Sequence, residues 1–199
     1  MILSNILPNP DKKGKFDVYA DGYIVMTLSE DAVVEAGLRI GCELDENRLL
    51  EIEHTAKLVK AKSRAYDLIS YTDMSAKTLC DKLRQRGFEE DVAREAVNSL
   101  ADDGYIDDER YAARLASYLA NTKLFGKRRI LAELSHKGVD REISEAAVDS
   151  LDVDYFENIC KLVSKEKITD AKSRARVANK LVRYGYGYDM INGVINEDE

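Results

Sequence analysis

Four cations, Lys123, Lys127, Arg128 and Arg129, crowd into one short stretch of this chain. Arg presents a planar fork that matches carboxylate or phosphate, and Lys adds a compact charge, so the chemistry on offer is anion recognition. The stretch falls at the expected start of a helix, where the macrodipole already favours anions. Basic residues there are not selected for helix stability. Successive helical side chains diverge by about 100°, so Arg128 and Arg129 cannot both be buried. A binding role therefore stands level with the plain solvated face that most charge runs represent.

A second set, Lys161, Lys165, Lys167, Lys172, Arg174, Arg176, Lys180 and Arg183, is larger but is diluted by Asp154, Glu157, Glu166 and Asp170. Here the solvated face is the stronger reading. Tyr184-Gly185-Tyr186-Gly187-Tyr188 could stack bases through Tyr184 or Tyr188. Packing outranks stacking, because Gly185 reads as a helix stop and Tyr186 shares a position with Phe88 and Val139. Asp102, Asp103, Asp107, Asp108 and Glu109 match no calcium-loop spacing, and Asp107 reads as a helix cap.

Catalysis has no motif behind it. His54 and His136 have no second ligand at metal spacing, and the chain lacks a phosphate loop, a nucleophile elbow and an acid–base pair. No cofactor or metal is expected. Cys42, Cys80 and Cys160 are scattered and odd in number, which suits reduced thiols in the cytoplasm. Neither a secretory leader nor an apolar run of membrane-spanning length is visible.

The elements that must carry these residues announce themselves by a repeated helix-stop signature. Leu83-Gly87-Phe88, Leu134-Gly138-Val139 and Leu181-Gly185-Tyr186 each place glycine four residues after leucine and before an apolar residue. That is the Schellman pattern, with glycine in the left-handed conformation and the next residue folded back on the leucine. Further columns stay apolar in all three copies: Leu79/Ile130/Val177, Val92/Ile143/Met190, Ala96/Ala147/Val194 and Val97/Val148/Ile195. A unit recurring at this length predicts a mainly α chain, a tandem array of three three-helix repeats. The expected helices cover about 57–71, 75–86 and 89–102, then 107–121, 126–137 and 140–151, then 154–166, 171–184 and 188–196. The corresponding divisions are 57–104, 105–153 and 154–199.

Residues 1–56 differ. Lys15–Ala20 alternates, Asp21-Gly22 supplies a tight hairpin turn, and Tyr23–Leu28 resumes with strand formers. Ser29 reads as an N-cap and Gly37 as the end of a short helix. A small β-hairpin and helix cap is expected before the array. This stretch holds 5 Lys/Arg against 11 Asp/Glu, a net of −6, whereas residues 57–199 hold 25 against 26, a net of −1. Bulk charge therefore excludes a generic polyanion binder and leaves local basic faces.

Gly104-Tyr105-Ile106-Asp107-Asp108-Glu109-Arg110-Tyr111-Ala112, followed by Gly126-Lys127-Arg128-Arg129-Ile130, Glu133-Leu134 and Lys137-Gly138, resembles the central motif of the RecX regulatory proteins. Arg84-Gln85-Arg86-Gly87-Phe88 and the three-copy layout agree with it, and the N-terminal hairpin resembles the extension of some Gram-positive members. The chain departs at Leu115–Asn121, where family members often carry several Arg or Lys, so the resemblance transfers no DNA contact there. It implies a monomeric, cytoplasmic, non-enzymatic protein that binds the RecA recombinase or the RecA–ssDNA filament. Inhibition of ATPase, strand-exchange and co-protease activities would then modulate recombination, DNA repair and the SOS response. Lys123, Lys127, Arg128 and Arg129 become the expected partner contacts, supported by Arg110, Arg114 and Lys137. Lys172, Arg174, Arg176, Lys180 and Arg183 form a secondary basic face. The competing class is a helical module that binds nucleic acid directly, and weak DNA affinity is compatible with either.

Overall fold

The computed structural model describes residues 1–195 and is mainly helical, with a small N-terminal sheet. The chain forms two compact units, one of residues 1–72 with 79–106, the other of residues 73–78 with those from 107 onward.

In the first unit, β1 (Leu3–Pro8), β2 (Lys15–Ala20) and β3 (Tyr23–Ser29) make an antiparallel sheet in the order β1-β2-β3. The expected hairpin is β2–β3, turned by Asp21 and Gly22 at φ 50° and 86°. β1 adds an outer strand, with Leu3 opposite Ala20 and Pro8 opposite Phe16. Proline suits that end position because it has no N–H to donate to the ladder. A hairpin alone is marginal in water. This one persists because Leu3, Val18, Ala20 and Leu28 bury against Ala32 of α1 (Glu30–Glu35) and Ile52 of α2 (Glu46–Tyr71). Ser29 caps α1 by accepting from the Ala32 N–H.

One polar group enters this core. Asp17 is buried, and its carboxylate accepts from Thr27 Oγ1 at 2.6 Å and Asn9 Nδ2 at 2.9 Å. Those bonds favour the ionised form and hold its pKa below the usual carboxylate range.

Asp45 caps α2, accepting from the Arg48 N–H at 2.7 Å, and the helix continues unbroken through residues 56 and 57. Ala61 and Ala65 lie one turn apart on its buried face. Their small side chains permit close approach of α4 (Glu90–Asp102), which contributes Ala93, Ala96, Val97 and Leu100. Between them in sequence runs α3 (Ala76–Arg84), whose opening turn groups with the second unit.

The second unit contains α5 (Asp108–Asn121), α6 (Lys127–His136), α7 (Arg141–Asp149), α8 (Tyr155–Val163), α9 (Ala171–Arg183) and α10 (Tyr188–Ile195). Two cores fill it. Ala112, Ala116, Ile130, Leu134 and Val148 join α5, α6 and α7, while Ile159, Val177, Leu181, Tyr186 and Ile191 join α8, α9 and α10. Asn196, the last residue of the expected final helix, lies outside the described residues.

All three glycine signatures close as Schellman motifs. Gly87, Gly138 and Gly185 have φ of 88°, 75° and 93°. In each, the residue after glycine donates to the leucine carbonyl: Phe88 to Leu83 at 3.3 Å, Val139 to Leu134 at 3.1 Å, Tyr186 to Leu181 at 3.2 Å. The repeated columns are buried or half-buried throughout, except that Met190 is 37% exposed. Leu100-Gly104-Tyr105 forms the same turn after α4, with Tyr105 donating to the Leu100 carbonyl at 2.9 Å.

Candidate functional site

Two of the glycine turns do more than end a helix. Gly126, the N-cap of α6, has no side chain to satisfy the helix start, and it donates its own N–H to the Tyr184 carbonyl at 2.8 Å. The turn after α9 thus lies directly on the opening of α6. The fit is tight. A Cβ on Gly126 would meet the Gly185 carbonyl oxygen at 2.6 Å, and one on Gly185 would strike the Arg129 backbone. Tyr186, buried behind this contact, donates its hydroxyl to the Leu124 carbonyl at 2.8 Å, and burial pushes its pKa up.

The turn after α6 meets α3 in the same way. The Lys137 carbonyl accepts from the Ser75 and Thr78 hydroxyls, Ser75 itself being the fully buried cap that accepts from the Thr78 N–H at 3.2 Å. Asp107 caps its own helix, α5, through the Arg110 N–H, as the sequence predicts. Its neighbour Asp108 instead accepts from the Ala76 N–H at 2.8 Å, so it caps α3 from a distant part of the chain.

These contacts divide the expected partner-binding residues. Arg114 pairs with Asp73 and Lys137 sits beside Ser75, so both belong to the α3 opening. Arg110 stays near its own cap, 3.9 Å from Asp107. Lys123, Lys127, Arg128 and Arg129 gather at the α6 opening, all four exposed. Lys123 Nζ lies over the Tyr118 ring at 5.5 Å, and Lys127 pairs with Asp149 at 3.1 Å. Arg129 pairs with Glu133 at 2.5 Å and lies over the Phe125 ring at 5.5 Å. Among the described residues Arg128 has no ion-pair partner.

The α9 turn brings part of the secondary basic face to the same place. Tyr184 meets Phe125 edge to face at 5.3 Å, and Lys180 Nζ lies over the Tyr184 ring at 5.8 Å. Lys180, Tyr184, Phe125 and Arg129 therefore run cation, ring, ring, cation across the two helix ends, each close pair in cation–π or edge geometry. Tyr184 is occupied by this packing, while Tyr188 is exposed. Lys180 also binds Glu166 at 2.7 Å, and with Arg176 at 3.8 Å it holds the Glu166 carboxyl below its ordinary pKa. Lys172 and Arg183 are exposed on α9, and Arg174 is half-buried. Phe125 is the participant that spacing alone missed, while Glu166, one of the acids that dilute the second set, pairs with two of its cations; nothing local marks a ring before a glycine cap as the bridge between two basic helices.

What the geometry defines is a helical-repeat protein whose modules meet through backbone at helix ends, with a cation–aromatic face over one such junction. Comparison with known proteins agrees. A family model described as the first three-helix domain of RecX matches residues 61–100, and one for the second matches residues 107–148. Regulatory protein RecX of Caldanaerobacter subterraneus subsp. tengcongensis is 29% identical, with 96% of each chain covered. That of Clostridioides difficile is 27% identical over 98% of this chain and 95% of the relative. A crystal structure of regulatory protein RecX superposes with a TM-score of 0.81 at 25% identity, covering 100% of this chain and 99% of the other. The chain belongs to the RecX family of regulatory proteins. Among the described residues no helix is long and apolar enough to cross a membrane.

Proposed function

We propose that this protein binds the RecA recombinase, as filament or monomer, and inhibits its ATPase, strand-exchange and co-protease activities. The reading rests on family membership. The observation that carries the site assignment is the Lys180–Tyr184–Phe125–Arg129 array, which draws cations from two helices onto one junction. Lys123, Lys127, Arg128 and Arg129 supply polar contacts to acidic groups of the partner, for which Lys127 and Arg129 exchange their present pairs with Asp149 and Glu133. Individually weak contacts sum when several are made by one chain, because each after the first forms at high effective concentration.

The test is recombinase ATPase and strand exchange on single-stranded DNA with substoichiometric protein. Replacing Lys127, Arg128 and Arg129 together by Ala removes three exposed contacts of up to ~1 kcal/mol each, so inhibition should weaken about tenfold or more with helicity intact. Undiminished inhibition by the folded variant would refute the site.

The exposed Tyr188 near this basic junction favours a second reading, direct nucleic-acid binding. Salt titration separates the two, since phosphate contacts lose affinity steeply as salt rises.

A further inference from the structure

The first unit holds a groove of about 580 Å³ at the meeting of the sheet, α2 and the α3–α4 turn. Five cations line it: Lys15 at the start of β2, Lys57, Lys60 and Arg64 along one face of α2, and Arg86 from the turn. These five cations outnumber the three carboxylates, Asp31, Asp67 and Glu89, that share the lining. Two of the cations are satisfied internally, Lys57 by Glu89 at 2.7 Å and Arg64 by Asp67 at 3.1 Å. Among the described residues Lys15, Lys60 and Arg86 have no acidic partner, and Arg86 donates only to the Lys82 carbonyl at 3.1 Å. Phe88, Val59 and Val92 give the groove an apolar floor.

We infer that this groove is a docking site for a short acidic peptide segment carrying an apolar anchor. It goes beyond the recombinase-inhibition reading and uses residues of the other unit. The volume suits a few side chains rather than a whole domain. Charge complementarity selects the occupant: carboxylates spaced along a peptide can reach Lys15, Lys60 and Arg86 while an apolar residue covers Phe88. A nucleic-acid strand fits less well. It carries a phosphate at every nucleotide and would meet Asp31, Asp67 and Glu89, which line the same groove. The site also gives the N-terminal sheet a task besides packing, since Lys15 reaches the groove from β2.

The test uses the full chain, without any recombinase, and a fluorescent peptide of alternating Glu and Leu. Amide resonances of residues 57–64 and 86–92 should shift on titration. Charge reversal at two exposed positions, Lys60→Glu with Arg86→Glu, should weaken binding about tenfold. The matching Gln and Leu peptide should bind at least about tenfold more weakly than the Glu peptide. Three results overturn the proposal: shifts confined to residues 123–129, equal binding of the Gln peptide, or shifts in the groove produced by an oligonucleotide but not by the Glu peptide. Because recombinase inhibition is read separately, loss of one result leaves the other standing.

Discussion

Replacing Gly87, Gly138 and Gly185 one at a time by Ala turns the threefold helix stop into a controlled experiment. All three have φ between 75° and 93°, so each Ala is forced into a left-handed conformation costing about 1–2 kcal/mol. Their surroundings differ. A Cβ on Gly87 meets nothing within 4 Å, one on Gly138 meets only the Lys77 side chain, and one on Gly185 strikes the Arg129 backbone. Gly87→Ala should therefore show the conformational cost alone, about 1–2 kcal/mol. Gly138→Ala should cost more than Gly87→Ala, because the outer Lys77 stem can swing aside but its Cβ, 2.8 Å away, is fixed to the backbone. Gly185→Ala adds overpacking against rigid backbone, typically about 1–3 kcal/mol more, for a total near 2–5 kcal/mol. Urea denaturation followed by circular dichroism gives the totals, and amide exchange at Ile130 and Leu181 localises the loss. Equal destabilisation by Gly87→Ala and Gly185→Ala would show that the α9 turn does not rest on α6.

Asp108→Ala should cost about 0.5–2 kcal/mol, the usual worth of an N-cap, with faster amide exchange at Ala76 instead of only within α5. Asn158→Ala removes the buried donor to the Ala120 carbonyl at 3.0 Å and should cost about 1–3 kcal/mol in urea denaturation. Unchanged stability of that variant would mean the carbonyl is satisfied otherwise. Asp17 has a folded pKa below its unfolded one, so its contribution is present above the unfolded value and is lost as pH falls below ~4. Asp17→Asn should flatten that acid limb of the first unit's stability, measured by urea denaturation across pH.

The helix ends were the most legible part of this chain, because a Schellman turn is written in local spacing: leucine, glycine four later, an apolar residue next. Caps at Ser29, Asp45, Ser75 and Asp107 are local as well, each bonding the N–H three residues on. The first strand was less legible. Leu3–Pro8 lacks clean alternation, and it is held by pairing with β2 rather than by its own pattern. Met190 occupies an apolar column yet is partly exposed, which shows that a column predicts a face and not its depth. Of the site, the α6 cations were visible as a cluster, whereas their link to Lys180 was not. That link depends on Phe125 and Tyr184, far apart in sequence, meeting through a turn whose closeness rests on two facing glycines, Gly126 and Gly185. Asp108 and Asn158 were opaque for the same reason, since a long-range cap has the same letters as a surface acid or amide.

The middle helices begin in unlike ways, and this bears on how such arrays could be lengthened. Gly126 offers a bare backbone donor that the following module fills, whereas Asp170 and Ser173 close the start of α9 by bonding reciprocally. The first is a socket and the second is already plugged. An engineer grafting another module after α9 would have to strip that reciprocal pair back to glycine, and leaving it intact should yield a tethered passenger rather than a seated one.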